Sequence, residues 1–466
     1  MTSDQSEQLV AYLKSRRWFG DKTRTIRGVR LRDRIVVNWP NADRDFAVAR
    51  ADVDTAEGTS TYQLFLDSHG DAGVDALEDE QFRRGLVDAF GQGASFDNGN
   101  TRWIITSEGR QPLVAPPAAK ITLSTAEQSN SSVMVEGAAI LKLFRRLEPG
   151  VHPDVEVTRF LTIDRQFLHV PVLLGTIRFE DASGTTIAGM LQELVPGAQD
   201  GWSYALDCTR DYFAQRTDSK NLPFQDEARQ LGGITRAMHE TLASGDSGSA
   251  FERTTATSGD VTDWVRATTV MAERSLASLR TAIDSNAVSR GSGDDPVAVA
   301  TRGERFSREI AGWTSVLSSD AGAKARTHGD YHLGQVLRSA AAQFLVIDFE
   351  GEPARPLSER RKLQSPLRDV AGMLRSFAYL GAVASGEGNT RDDRATRWER
   401  STRAAFLRGY FEHSGPSRLL PQDQANTDRL LTLFETEKVF YELQYELDHR
   451  PDWAWIPLRG ILALAS

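Results

Sequence analysis

A mixed α+β architecture in two lobes, with a further α+β domain at the amino terminus, is what this 466-residue sequence predicts. Three observations carry it. Residues 1–115 read mainly as alternating strands with one or two helices. Residues 116–200 are again strand-rich and stop at the turn Pro196-Gly197. From Trp202 onward apolar residues recur at helical spacing, interrupted by one hairpin-like stretch, Thr327–Pro353, that is dense in chemically useful side chains.

Taken in order, Glu7–Arg17 reads as a short helix running into Arg16-Arg17-Trp18-Phe19-Gly20. Val29–Asn38, Asp45–Val53, Thr61–Leu66 and Thr101–Thr106 alternate apolar and polar residues as half-buried strands do. Between them Ala76–Phe90 places Leu77, Phe82, Leu86 and Phe90 at helical spacing. These elements make residues 1–115 a cap domain, ending in the Pro-rich Val114–Ala119.

In residues 116–200, Ala139–Phe144 (AILKLF) is a strand with Lys142 in its middle. A lone lysine there is ordinarily the outward residue of a half-buried strand. In a kinase-type small lobe it reaches the α and β phosphates and pairs with an acid on the next helix, here Glu156 within Pro153–Leu161. No G-x-G-x-x-G loop precedes it, although Ser129, Asn130 and Ser131 of EQSNSSV could cradle phosphate through small side chains and N–H groups. Val170–Phe179 and Ile187–Leu194 pair as strands, the second leading through Gln192, Glu193 and Val195 into the Pro-Gly turn. Free backbone groups at such a hinge could read an adenine edge, and an ordinary strand end looks the same.

The helical part, residues 201–466, includes Phe224–Leu242, Trp264–Ile283, Arg305–Leu317, Arg368–Leu380, Trp398–Phe411 and Leu430–Leu447. His239 is expected on a core face. Within Thr327–Pro353, His328-Gly329-Asp330 is followed five places later by Gln335, and the strand Phe344–Ile347 delivers Asp348. In-line phosphoryl transfer asks a protein for positioning and charge neutralisation, which this set supplies. Asp330 would orient a hydroxyl and take its proton late, while Gln335 and Asp348 offer the oxygen ligands magnesium prefers. Near the carboxy terminus Tyr441 and Tyr445, like Glu442 and Glu446, recur four apart and so share faces, with Trp453 following. Aromatic faces and carboxylates suit a sugar, and the same spacing suits a core stripe with solvated glutamates.

A net charge of −9 and a pI near 5.5 exclude a nucleic-acid footprint. The single Cys208 excludes a disulfide framework. No apolar run approaches the roughly 20 residues of a membrane span, and MTSDQSEQLV lacks a secretion signal, so no membrane role and a cytoplasmic location are expected.

The blocks EQSNSSV, ILKLFRRLEPGVHPDVEVTRFL, LQELVPGAQDGW, HGDYHLGQVL, VIDFEGEPARPLSERRKLQSPLRDVAGMLRS and YELQYELDHRPDWAWIPL, in that order, closely resemble the maltokinases, including those associated with trehalose synthase. These belong to the aminoglycoside-phosphotransferase-like, eukaryotic-kinase-like superfamily, and RRWFGDKTRTI resembles the start of their cap domain. The resemblance implies ATP and Mg2+ as cofactors and maltose as the acceptor, giving maltose 1-phosphate for α-glucan (glycogen) biosynthesis from trehalose, with a trehalose synthase as a functional partner. By matched position it makes Asp330 the catalytic base, Gln335 and Asp348 the metal ligands, Lys142 and Glu156 the phosphate pair, and Gln192, Glu193 and Val195 the hinge. Tyr441, Glu442, Tyr445, Glu446 and Trp453 become sugar contacts, and His332, beside the catalytic aspartate, is a further expected substrate contact. A neighbouring branch phosphorylates glucosamine to glucosamine 6-phosphate and is the alternative. A non-catalytic binding module with the same fold is the third reading, disfavoured because a binder needs no metal ligands.

Overall fold

The structure is a computed structural model that describes residues 3–67, 75–109, 118–124, 129–214, 222–288, 295–352, 355–386, 393–412 and 417–465. It consists of two compact units, Met1–Gly197 and Ala198–Ser466. The expected boundary at residues 115–116 lies outside the described residues, as do Glu127 and Gln128 of the candidate phosphate loop.

In the first unit, α1 (Ser3–Ser15) leads into β1 (Ile26–Val37), β2 (Phe46–Thr55) and β3 (Gly58–Asp67). These pair antiparallel and are closed by the short β9 (Arg146–Leu147) in the order β1-β2-β3-β9. Successive side chains of a strand point to opposite faces, and both faces of β2 are covered, so that every residue but Asp54 is buried. Ala47, Ala49, Ala51 and Val53 pack with Leu9, Tyr12 and Leu13 of α1 and with Trp18 and Phe19. Phe46 and Val48 face the other way, into the larger core.

The expected helix over 76–90 is broken at Asp79: a 3-10 turn, Ala76–Glu78, precedes α2 (Glu80–Gln92). The Asp79 side chain accepts the Gln81 N–H at 2.7 Å, and a carboxylate at that position favours a new helix start over continuation. Phe82, Leu86 and Phe90 enter the core at the expected spacing.

A second sheet follows, built from β4 (Ala94–Asp97), β5 (Arg102–Ser107), β6 (Ile121–Leu123), β7 (Ser131–Val135), β8 (Ala139–Leu143), β10 (Leu173–Asp181) and β11 (Gly184–Glu193), with α3 (Pro153–Arg159) between β9 and β10. Its order, β4-β5-β10-β11-β8-β7-β6, places β5 of the cap segment directly on β10, from Gly175↔Ser107 to Glu180↔Arg102. Strands from residues 1–115 and from residues 116–200 therefore share one sheet and the larger core.

The second unit is mostly helical. Its helices are α4 (Gly201–Ala214), α5 (Gln225–Leu242), α6 (Ser258–Asp284), α7 (Pro296–Ala311), α8 (Thr314–Leu317), α9 (Leu357–Arg360), α10 (Leu367–Ala384), α11 (Asp393–Phe411), α12 (Gln424–His449) and α13 (Trp455–Leu464). The short strands β12 (Gln199–Asp200), β15 (Val336–Arg338) and β16 (Phe344–Val346) form one sheet, and β13 (Thr254–Thr255) with β14 (Ala323–Lys324) another. Phe440 and Leu443 of α12 meet Leu276 and Leu279 of α6 in the helical core. Among the described residues no helix is long and apolar enough to cross a membrane.

Candidate functional site

The stretch around Asp330 is held by one buried carboxylate. Asp369, in the first turn of α10, accepts the N–H of His328 at 2.7 Å and of Gly329 at 2.9 Å. It also lies 3.0 Å from His239 Nε2, whose Nδ1 is 2.9 Å from the Tyr410 hydroxyl. Burial alone would raise the Asp369 carboxyl, but the His239 hydrogen bond and charge, with help from the loop amides, hold it below the usual carboxylate range. His239 sits on a core face, as expected.

Gly329 has φ +87°, a conformation open to a residue without Cβ. At Gly372 a Cβ would lie 2.6 Å from the Tyr331 carbonyl, so the loop can rest directly on α10 only because that position is glycine. His328 Nε2 meets the Ile347 carbonyl at 2.9 Å and its ring lies 5.0 Å from that of Phe349, tying the loop to the strand that carries Asp348.

Gln335 and Asp348 are brought together by hairpin register. Val336 pairs with Val346, and the Ile347 N–H donates to the Gln335 carbonyl at 3.0 Å. The residue preceding β15 thus lies beside the end of β16. Asp348 has φ +67°, uncommon for a residue with Cβ and a mark of a constrained site. An amide oxygen and a carboxylate on adjacent strand ends fit a hard divalent cation.

Asp330 has a neighbour that sequence reasoning missed. Lys438 of α12 places Nζ 3.3 Å from Asp330 Oδ1 and 3.5 Å from Glu352 Oε1, and 5.3 Å from the centre of the Tyr441 ring. Partial burial works against its charge, but Asp330, Glu352 and Glu442 outweigh that and raise its pKa, so it is an ammonium. His332, expected as a substrate contact, instead accepts the Gly334 N–H on Nδ1 at 3.0 Å and caps the turn that carries Gln335. Burial depresses its pKa and keeps it neutral.

In the first unit Lys142 forms an ion pair at 3.1 Å with Asp154, whose side chain is 1% exposed. Asp154 is thus a partner of Lys142 that the sequence reading did not name, and Glu156, the expected one, is half-buried two residues further along α3. The first turn of α3 carries both acids, Asp154 and Glu156, and Asp154, directly after Pro153, is the one at ion-pair distance in the 3.1 Å contact.

Ser129 and Asn130 lie in the turn ahead of β7, but Ser131 is a core residue: its hydroxyl accepts from Arg145 Nε at 2.8 Å. At the hinge, the Glu193 N–H is bonded to the Val172 carbonyl at 2.9 Å and so is not free for a base. Val195, beyond the sheet, is half-buried. Gln192 is buried, and its Nε2 finds no acceptor among the described residues, an orphaned donor of the kind a purine could satisfy.

The two stripes of α12 have opposite fates. Tyr441 and Tyr445 are 37% and 43% exposed, and Trp453 36%. Glu442 receives two hydrogen bonds from Arg375, at 2.9 and 2.8 Å, and Glu446 accepts from the Tyr379 hydroxyl at 3.0 Å and from Arg450 at 2.9 and 2.7 Å. One residue along a helix is a turn of about 100°, enough to direct the glutamates at α10 while the tyrosines face outward. The expected sugar-binding carboxylates are therefore internal struts.

Known proteins agree with this architecture. A family model described as the maltokinase N-terminal cap domain matches residues 12–85. A glucosamine kinase of Streptacidiphilus jiangxiensis is 29% identical over 340 residues, covering 71% of this chain and 70% of that one. A glucosamine kinase of Mycolicibacterium smegmatis is 26% identical over 360 residues, covering 77% and 80%. Among solved structures, a glucosamine kinase in complex with glucosamine, ADP and inorganic phosphate superposes with a TM-score of 0.66 at 24% identity, covering 94% of this chain and 93% of that one. The fold is thus the kinase-like one expected, cap included.

Proposed function

We propose that this ATP-dependent phosphotransferase acts on a small sugar, with maltose as the acceptor and maltose 1-phosphate as the product, in α-glucan synthesis beside a trehalose synthase. The observation that carries the reading is the clamp on the catalytic loop: Asp369 fixes two successive amides, so Asp330 is presented on a rigid backbone with its side chain 27% exposed.

In the transfer, an acceptor hydroxyl oxygen forms a bond to the γ-phosphorus of ATP as the bond from that phosphorus to the bridging oxygen breaks, and ADP leaves. The hydroxyl proton passes to Asp330. Lys438 holds one Asp330 oxygen and thereby aims the other. Gln335 and Asp348 would hold magnesium, which when bound neutralises phosphate charge. Lys142, set by Asp154, would meet the α and β phosphates, and Gln192 the base. Tyr441, Tyr445 and Trp453 give faces on which sugar CH groups can stack.

Maltose is favoured by the cap match over residues 12–85 and by three exposed rings, enough for more than one sugar unit. Glucosamine is the second reading, favoured by the curated relatives. A panel of maltose, glucosamine, glucose and an aminoglycoside with labelled ATP decides between them. Consumption of maltose supports the first reading, phosphorylation of glucosamine alone replaces it with the second, and nucleotide binding without transfer to any acceptor leaves a binding module.

A further inference from the structure

The hollow beside Asp330 is lined among others by Glu352, Arg355, Arg368, Glu437, Lys438 and Tyr441. The carboxylates nearest Asp330 already have counter-ions. Lys438 bridges Asp330 and Glu352 at 3.3 and 3.5 Å, Arg355 lies 2.5 Å from Glu352, and Arg368 is 2.9 Å from Glu437. Three of the lining acids, Asp330, Glu352 and Glu437, are thus paired with three resident cations.

An ammonium entering beside Asp330 would meet acids already paired, Asp330 and Glu352, and would lie next to the existing positive charge of Lys438. A hydroxyl is served from both sides, donating to Asp330 or Glu352 and accepting from the Lys438 ammonium, whose third N–H has no partner among the described residues. The long contacts to the two acids leave that ammonium able to turn toward a ligand.

Resting on the sugar-kinase reading above, we propose that Lys438 sets the charge class of the acceptor: the site takes uncharged, hydroxyl-rich sugars and rejects amino sugars whose ammonium would lie next to it. Lys438 is a specificity-determining residue here, and Asp330 remains the catalytic one.

The test compares kcat/KM for maltose, glucose, glucosamine and N-acetylglucosamine in the wild-type protein and in K438Q, K438R and E352Q. The matched pair glucose and glucosamine isolates the charge, and N-acetylglucosamine controls for bulk at the same carbon. The wild type should favour glucose over glucosamine by about tenfold or more, as like charges a few ångströms apart imply. K438Q should shift that ratio about tenfold toward the amine, K438R should keep it, and E352Q, by removing a counter-ion of Lys438, should push it further toward the neutral sugar.

If K438Q fails to fold, E352Q and K438R still test the idea through the opposite sign and the retained ratio. A wild-type preference for glucosamine, or a ratio that K438Q and E352Q leave in place, overturns the role of Lys438 while the sugar-kinase reading stands. Absence of transfer to every sugar by the wild type, with ATP still bound, overturns both.

Discussion

Arg145 and Lys438 are both cations set among acids, one in each unit, and they are finished in different ways. Arg145 is 1% exposed. Its Nε donates to Ser131, Nη1 to the Gln63 carbonyl and Nη2 to Asp75, while the guanidinium lies 4.5 Å from the Trp18 ring centre and 4.9 Å from that of Phe65. Lys438 is 26% exposed, its contacts are long, and Asp330 opposite it is 27% exposed. A saturated, enclosed ion pair holds a fold. One with open valence at the surface of a hollow is poised for a ligand.

The sharpest break in that contrast comes from Asp330→Asn. The kcat should fall about 10³- to 10⁴-fold while ADP affinity, read by calorimetry, stays within about twofold, because only the proton acceptor is lost. Activity that survives the change removes Asp330 from the base role.

Arg145→Met should do the reverse, lowering unfolding stability by about 3–5 kcal/mol in urea because Asp75 is left buried and unpaired, with the sugar preference of any folded protein unchanged. A stability loss below about 1 kcal/mol would make the Arg145 cluster incidental.

Asp369→Asn tests a group belonging to both kinds, an enclosed acid that positions a catalytic loop. Its amide keeps only one good acceptor for three donors, so about 2–4 kcal/mol should be lost. The sign of its pH dependence follows from the depressed folded pKa: the stabilisation is present above the unfolded carboxylate value near about 4 and disappears as pH falls through the folded value. Urea midpoints measured from neutral to acid pH should therefore slope less steeply in the variant below about pH 4.

The smallest effect expected is in the α12 stripes. Trp453→Ala should raise KM for the sugar about tenfold with kcat little changed, as loss of one stacking face implies. Glu442→Gln should instead lower the melting temperature and leave KM within about twofold. The opposite pattern would return Glu442 to the sugar site.

Much of this arrangement was legible in the sequence because it is local. His328, Asp330, Gln335, the strand and Asp348 lie within one hairpin, and hairpin register alone sets Gln335 beside Asp348. Lys142 was legible from its strand. What could not be read is which way a helix face turns once packed. Four-residue spacing shows that Glu442 and Glu446 share a side, and it does not show that this side meets Arg375 and Tyr379. Lys438 is three residues ahead of Tyr441 and would have drawn notice only if the helix were known to pass Asp330. Asp369 and Asp154 were missed for the same reason, since an acid near a helix start reads as a cap or dipole partner until its neighbours from distant sequence are known.

The pairing of β5 with β10 makes residues 1–115 a load-sharing part of the first unit, because Gln63 of β3 also donates to the carbonyls of Phe144 and Ala188, at 3.3 and 3.0 Å. Cutting away residues 1–115 would strip the β10 edge of its neighbour β5, leaving a row of unsatisfied amides and a naked apolar face, which is a template for self-association. A minimal version of this protein made by trimming it to the kinase core should clump in the test tube, and a function for the cap is better sought by point changes on its outer surface than by its removal.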